Sequence, residues 1–155
     1  MTATCREACC SATPRFTVAE LFERGYRRNR EAPLPIEGDV VTDAEGNSAR
    51  FSIELADGKL AAARFRATAC TTLIAYCQAT AELLTGLSAD IAGQLSARDL
   101  VVALPGVPAL KHERAVLAIA AFRAALQAAN AELSVRPRES GDPVLARAGF
   151  PLARE

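Results

Sequence analysis

An Asp57-Gly58 turn between two stretches of alternating apolar and polar residues limits what this chain can fold into more than any other feature. Residues 60–67 alternate after the turn in the same way as the residues before it. A period of two on both sides of an Asp-Gly pair predicts a β-hairpin. The apolar residues before the turn fall on one side of the predicted strand and are Phe51, Ile53 and Leu55.

Two further elements are predicted before the hairpin from local signals. Thr17 and Glu20 form a capping-box pattern, which predicts a helix from there to about Arg28. An earlier strand near residues 40–41 would join the hairpin across a turn at residues 45–47.

The hydrophobic period changes from two to that of a helix at Cys70, and this second pattern continues to Leu84. Short helices are predicted after Ser88 and Ser96, and a long final helix from about residue 109. The order of helix, strands and then helices predicts an α+β fold. We expect a small antiparallel three-stranded sheet with helices packed on one side.

A length of 155 residues fits one domain, flanked here by two segments of different composition. Residues 1–15 are small, polar and cysteine-bearing, which predicts a flexible N-terminus. Residues 16–134 carry the periodic patterns of the domain. Residues 135–155 mix proline and glycine with charged residues, which predicts a flexible tail.

The charges of the chain balance, with 18 Lys and Arg against 18 Asp and Glu, so no net field attracts nucleic acid or an anionic membrane. No apolar run reaches bilayer length, and Arg6 and Glu7 interrupt the region where a signal peptide needs apolar residues. We therefore expect a cytoplasmic protein with no nucleic acid and no membrane as partner. Its five cysteines are expected to be thiols, metal ligands or redox groups.

Cys70 lies where the predicted hairpin meets the next helix. The free amide groups and the dipole at a helix start stabilise negative charge, so this position favours the thiolate over the thiol. A thiolate is the form that binds metal or attacks a persulfide. The alternative interpretation is a small buried residue at a tight junction, since free cysteine is often part of the core.

The residues around Cys70 resemble the central motif of IscU/NifU-type iron–sulfur cluster scaffolds. Residues 57–60 read DGKL and residues 63–65 read ARF, where the family has a DGKI…ARFK strand. Residues 69–75 read ACTTLIA, where the family has the GCGSAIA start of a helix.

The resemblance extends to both sides of this motif, over about residues 18–130. Residues 26–30 are similar to the family's HYENPRN helix end. Residues 104–105 resemble its proline turn, and residues 111–118, which read KHERAVLA, resemble the KxHCAxLA start of its last helix. The implied fold is that of the SufE/NifU type, in agreement with the α+β pattern.

The function that the resemblance implies is the assembly of a [2Fe–2S] cluster on three cysteines and an Asp or His, with sulfur from a cysteine desulfurase. Cys70 is then the central cysteine. The first family cysteine falls on Glu45, with Asn47 in place of the aspartate, and the third falls on Arg114. Arg114 would compete with a metal ion as a cation unless it pairs with Glu45 or Glu113.

Among the remaining family positions, Lys111 matches the family lysine. Glu113 stands in place of the family histidine, and His112 lies one position away from it. The resemblance thus leaves Cys70, Glu45, His112 and Glu113 as candidate metal ligands. Their chemistry suits zinc or mononuclear iron as well as a cluster, and a degenerate scaffold would hold no metal at all.

The other cysteines have two interpretations each. Cys5, Cys9 and Cys10 are either exposed thiols or ligands that reach Cys70 from the same chain or from a second chain in a homodimer. Cys77 is either a core residue or a resolving thiol for Cys70, two helical turns away.

Three functional hypotheses follow. The first is a scaffold or carrier in iron–sulfur cluster assembly, which handles iron or sulfur at Cys70 and is not an enzyme. The second is a degenerate paralogue that holds no cluster and docks on a cysteine desulfurase or a chaperone. The third is a sulfur-accepting thiol enzyme in which His112 acts as a base on Cys70. An acceptor apoprotein is a further expected partner.

Overall fold

The computed structural model describes the backbone of residues 16–149 and the side chains of residues 16–132. Helix α1 spans Val18–Arg28 and begins at the predicted capping box. The hydroxyl of Thr17 accepts a hydrogen bond from the amide of Glu20, whose carboxylate accepts one from the amide of Thr17. The prediction for residues 1–15 lies outside the described residues.

An antiparallel sheet forms around one long central strand. This strand pairs with the second strand of the hairpin along one side and with two short strands, placed end to end, along the other. The turn residues Asp57 and Gly58 have φ values of 55° and 75°, as a two-residue hairpin turn requires. The predicted hairpin is confirmed. The strands are β1 (Ile36–Glu37), β2 (Val41–Thr42), β3 (Ser48–Ala56) and β4 (Lys59–Ala67).

The predicted count of three strands is wrong, because the sheet has four strands within residues 16–149. The predicted strand near residues 40–41 corresponds to β2, and β1 was not predicted. Two residues cannot display a period, so β1 leaves no signal beyond the extended backbone that Pro33 and Pro35 favour. The α+β class and the antiparallel arrangement are confirmed.

The helices that follow the hairpin cover one face of the sheet. The last helix packs across β3, and the helix that follows Cys70 packs against β4 with α1 behind it. No helix within residues 16–149 is both long enough and apolar enough to cross a membrane. The helices are α2 (Thr71–Leu84), α3 (Ala89–Ala92), α4 (Ala97–Ala103) and α5 (Glu113–Gly149), with a 3₁₀ turn at Ala109–Lys111.

The last helix continues to Gly149, through most of the segment for which the sequence predicts a flexible tail. That prediction depended on Pro137 and Pro143, and the helical backbone passes through both. The domain boundary at residue 134 and the flexibility of the tail stay predictions. Residues 150–155 lie outside the described residues.

Three phenylalanines from the sheet and the last helix form the centre of the core. Phe122 of α5 meets Phe51 of β3 edge-on, with ring centroids 5.5 Å apart and planes at 89°. Phe65 of β4 stands opposite Phe51 in the register of the hairpin, with ring centroids 5.9 Å apart. Edge-to-face packing of this kind adds about 0.5–1.5 kcal/mol to the burial of each pair. These contacts fix the angle at which α5 crosses the hairpin.

The outer edge of β4 is held at both of its ends. The side-chain amide of Asn29 donates to the carbonyl of Ala67 at 3.1 Å and accepts from its backbone amide at 2.8 Å. At the opposite end, Leu60 donates to the carbonyl of Leu87 and accepts from the amide of Gly86. The outward-facing backbone groups at the two ends of this edge strand are thereby satisfied without a fifth strand.

Gly38, which follows β1, lies directly against the last helix. A Cβ atom built at this position would come within 2.4 Å of the backbone nitrogen of Ala125 and 2.6 Å of its Cα. The amide of Gly38 still donates to the carbonyl of Phe51 at 2.9 Å, so the chain stays paired with β3 at this contact. The close approach of helix to sheet therefore requires glycine here.

We predict that Gly38→Ala lowers the free energy of unfolding by about 1–3 kcal/mol, because the added methyl group overpacks a backbone contact that cannot move without separating α5 from the sheet. Urea unfolding of both proteins measures the difference. Gly106→Ala is the matched control, since the nearest atom to its Cβ is 3.9 Å away and the expected change is within about 0.5 kcal/mol. Equal stability of the two variants would contradict the prediction.

Candidate functional site

Cys70 is the N-cap residue of α2, at the end of the short connection from β4. Its backbone is extended, with φ −123° and ψ 121°, and its carbonyl accepts the first hydrogen bond of the helix from Ile74. The side chain is half-buried. The predicted position at a junction between strand and helix is confirmed.

The guanidinium of Arg114 is the central group of the site. Arg114 lies in the first turn of α5 and is only 4% exposed. One terminal nitrogen donates to Glu45 Oε1 at 2.8 Å, and the other donates to Asp43 Oδ2 at 3.4 Å. The guanidinium also lies beside the Cys70 thiol and interacts with it. Three separate segments of the chain therefore meet at one buried positive charge.

The sequence left two possibilities for Arg114, which were competition with a metal ion or an ion pair with Glu45 or Glu113. The structure has the ion pair with Glu45. A hydrogen bond from Arg114 to Glu45, and a second interaction with Cys70, raise the pKa of the guanidinium further above its ordinary value, against the effect of burial. The arginine is therefore always charged, and the two acidic side chains that accept from it are its counter-ions.

The thiol of Cys70 has a pKa below the ordinary value for cysteine. Partial burial raises this pKa, but the amide of Leu73 and the guanidinium of Arg114 lower it by more. The amide of Thr72 contributes in the same direction. The amide groups at the start of α2 thus have the effect predicted from the sequence, and Arg114 adds a positive charge that the sequence did not assign to this purpose.

Asp43 is the site residue that sequence reasoning missed. Its Oδ1 atom accepts hydrogen bonds at 2.9 Å from the amides of Glu45 and Asn47, which closes the turn, and its Oδ2 atom faces Arg114. These bonds lower the pKa of the carboxyl, although burial acts in the opposite direction. The signal was present: an aspartate that opens a turn containing Gly46, with φ +90°, is a common arrangement.

The structure places the other candidate ligands in separate environments. The side-chain amide of Asn47 bonds to Asp43 at 3.2 Å, and a ring nitrogen of His112 lies 3.2 Å from the carbonyl of Val107. Lys111 and Glu113 are exposed to solvent.

No three of the predicted metal ligands Cys70, Glu45, His112 and Glu113 are placed together within the described part of the chain. Glu45 bonds to Arg114, and within the described part of the chain no three His, Cys, Asp or Glu side chains are placed to hold a metal ion. The physical reason is that Arg114 already supplies the positive charge toward which Cys70 and Glu45 are directed. A cluster of the expected type needs about four donors. The described residues of one chain do not fit it.

Cys77 is a core residue, fully buried in α2. Burial raises the pKa of its thiol far above the ordinary value, and the nearby Cys70 raises it further. Seven residues of helix separate the two cysteines by about 10 Å, beyond the reach of a disulfide. The core interpretation is confirmed, and the arrangement excludes Cys77 as a resolving thiol while α2 is intact.

We predict that Arg114→Gln raises the pKa of Cys70, because it removes a positive charge and leaves two carboxylates beside the thiolate. The rate at which iodoacetamide alkylates Cys70 is followed at a series of pH values by mass spectrometry of the Cys70 peptide. The midpoint of this rate against pH gives the pKa of the thiol. The wild-type midpoint is expected below the value of about 8.5 for free cysteine. Arg24→Gln is the control, since it removes an arginine paired at 2.8 Å with Glu82 on a different surface. A midpoint that does not move in Arg114→Gln would contradict this account.

Comparison with known proteins gives matches over the same region. The family model "NifU-like N terminal domain" matches residues 22–133. Two proteins named "Nitrogen fixation protein NifU", from Nostoc sp. (strain PCC 7120 / SAG 25.82 / UTEX 2576) and from Trichormus azollae, are each 33% identical over 91 residues. The aligned region is 57% of this chain and 30% of each relative, so the chain spans about a third of their length.

A solved structure described as "Crystal structure of a hypothetical protein at 2.3 A resolution" is similar with a TM-score of 0.47 and 17% sequence identity. The match covers 70% of this chain and 98% of the other. The family match, by contrast, extends over most of the chain and includes the hairpin, Cys70 and Arg114. The chain therefore belongs to the NifU-like N-terminal domain family, the iron–sulfur cluster assembly scaffold family that its motifs resemble.

Proposed function

We propose that this protein acts in iron–sulfur cluster assembly as a sulfur carrier, with Cys70 as the residue that accepts and delivers sulfur. The observation that carries the proposal is the pairing of a half-buried thiol of lowered pKa with the buried guanidinium of Arg114. Such a pair favours a thiolate nucleophile over a metal ligand set. We expect a carrier rather than a catalyst, in agreement with the scaffold family.

The proposed step is the transfer of one sulfur atom from a persulfide. The thiolate of Cys70 attacks the terminal sulfur of the donor persulfide and forms a new S–S bond. The S–S bond of the donor breaks, and the donor cysteine leaves as a thiolate with the electron pair. No external oxidant or reductant is required, because the transferred sulfur keeps its oxidation level.

Arg114 supports this step through charge. The attacking thiolate and the resulting persulfide are both anions, and the guanidinium stays protonated throughout. Asp43 and Glu45 hold the guanidinium from the side of the turn, so that it cannot swing into solvent when the charge at Cys70 changes. We regard Asp43 and Glu45 as positioning residues and Arg114 as the group that contacts the reacting thiol.

A cysteine desulfurase is the donor that this chemistry implies, and an apoprotein or a second scaffold is the acceptor. Iron or a cluster would be cargo, and the described residues of one chain offer a single accessible thiolate for it. The second candidate function, docking without sulfur, is favoured by the same engagement of Glu45 with Arg114. The two differ in whether Cys70 is chemically required.

We predict that incubation with a cysteine desulfurase and cysteine adds one sulfur atom to Cys70. Mass spectrometry of the Cys70 peptide under non-reducing conditions measures the adduct. Cys70→Ser is expected to abolish it, whereas Cys77→Ser is expected to leave it unchanged if the variant folds. Desulfurase binding in a pull-down without an adduct would favour the docking function, and the absence of both would overturn the two proposals together.

We also predict that the double change Glu45→Cys with Arg114→Cys creates a cluster site, since it restores thiolates at the two positions where the family has them and removes the competing cation. Anaerobic reconstitution with iron and sulfide, followed by absorption spectroscopy, measures the chromophore. All proteins carry serine at positions 5, 9 and 10, and circular dichroism checks their folding. An equal chromophore in the chain with native Glu45 and Arg114 would contradict the carrier proposal.

A further inference from the structure

The face of the sheet opposite the helices carries a group of arginines. Side chains alternate along the hairpin, so the neighbours of the buried Phe51 and Phe65 point away from the core. Arg50 of β3 stands directly opposite Arg66 of β4 in the register. Like charges in such a pair destabilise a sheet unless another group compensates them.

A short segment after α1 crosses this face and encloses a cavity. The amide of Leu34 donates to the hydroxyl of Ser52 at 2.9 Å, and Arg64 donates to the carbonyl of Ala32 at 2.8 Å. The space between the segment and the sheet measures about 300 Å³, the lower end of the range for small-ligand sites. The polar and charged side chains around it are Glu31, Glu37, Arg50, Ser52, Arg64 and Arg66.

Two of the three arginines have a carboxylate partner inside this cavity. Arg50 pairs with Glu37 at 3.0 Å, and Arg64 lies 3.6 Å from Glu31. Arg66 pairs with no carboxylate in the described part of the chain, and its terminal nitrogen makes only long contacts, at 3.4 and 3.3 Å, to the carbonyls of residues 30 and 31. The cavity therefore holds one more positive than negative side chain.

We propose that this cavity binds a small oxyanion, such as the phosphate group of a small molecule, at the guanidinium of Arg66. Arg50 already donates to Glu37 and to the carbonyl of Gly38, so Arg66 is the arginine of this pair whose charge has no carboxylate partner among the described residues. The planar donors of arginine match the paired oxygens of a phosphate or carboxylate group. The size of the cavity admits the charged group of a small molecule. The site lies on the face of the sheet away from the helices and does not depend on the function of Cys70.

Titration of the full chain with inorganic phosphate, followed by amide chemical shifts, tests this proposal. Sodium chloride at matched ionic strength is the reference, because simple screening affects all surface arginines. We expect saturable shifts at the cavity residues with phosphate and none with chloride. Non-saturable shifts, or equal shifts with both salts, would overturn the proposal.

Two variants give the test its specificity. Arg66→Gln is expected to weaken phosphate binding by about tenfold or more, because a charge-assisted hydrogen bond is lost. Arg66→Lys keeps the charge and is expected to weaken it less. Arg27→Gln is the control, since this arginine is exposed and pairs along its own helix with Glu23. Equal affinity in Arg66→Gln and Arg27→Gln would contradict the assignment.

A second titration distinguishes a small-molecule phosphate from the acidic side chains of a partner protein. A short peptide with two neighbouring glutamates replaces phosphate in the same titration. Binding of the peptide through Arg66 in the absence of phosphate binding would assign the cavity to the acidic side chains of a partner protein. That result would overturn the proposal of a small-molecule site.

Discussion

The buried guanidinium of Arg114 ties together parts of the chain that are far apart in sequence. Arg114 begins the last helix, Asp43 and Glu45 belong to the turn before the hairpin, and Cys70 begins the helix after it. A charge this deeply buried is tolerated only where counter-ions accompany it, so the turn must adopt the conformation that presents both carboxylates. The shape of the turn and the acidity of the thiol are thus consequences of one ionic interaction.

The sheet and the last helix meet with very little space between their backbones. Gly38 allows the contact with Ala125, and the rings of Phe51 and Phe122 determine the crossing angle. Because Arg114 lies about two to three turns before Phe122 and Ala125 on the same helix, a shift of the helix across the sheet would also displace the guanidinium from Cys70. Packing in the core and electrostatics at the site are therefore coupled through a single rigid element.

Sequence reasoning succeeded where a local rule fixes the geometry. The Asp57-Gly58 turn and the capping box at Thr17 are decided by nearest neighbours, and the position of Cys70 at a helix start follows from the change in period. The strand Ile36–Glu37 was missed because its two residues are too few to display an alternating pattern. Its existence depends on pairing with β3, which is a tertiary contact.

The candidate site was likewise predicted only where local interactions determine it. Cys70 and its lowered pKa could be predicted, because helix amides act locally. The candidate ligands Glu45, His112 and Glu113 were chosen by alignment, and only the structure reveals that Arg114 engages Glu45 while His112 lies beside a backbone carbonyl. Asp43 has no counterpart in the motifs that were compared. Ion pairs between residues that are far apart in the chain produce no periodic pattern, so the sequence could not predict them.

The hydrogen bonds at the outer edge of β4 have a consequence for association with other proteins. Asn29 occupies the backbone groups of Ala67, and the chain at residues 86–87 occupies those of Leu60. An incoming strand would have to displace both before it could extend the sheet along the length of β4. Recognition by a partner at this edge must then rely on side chains presented at the surface, and the edge is protected against the growth of sheets between copies of the chain.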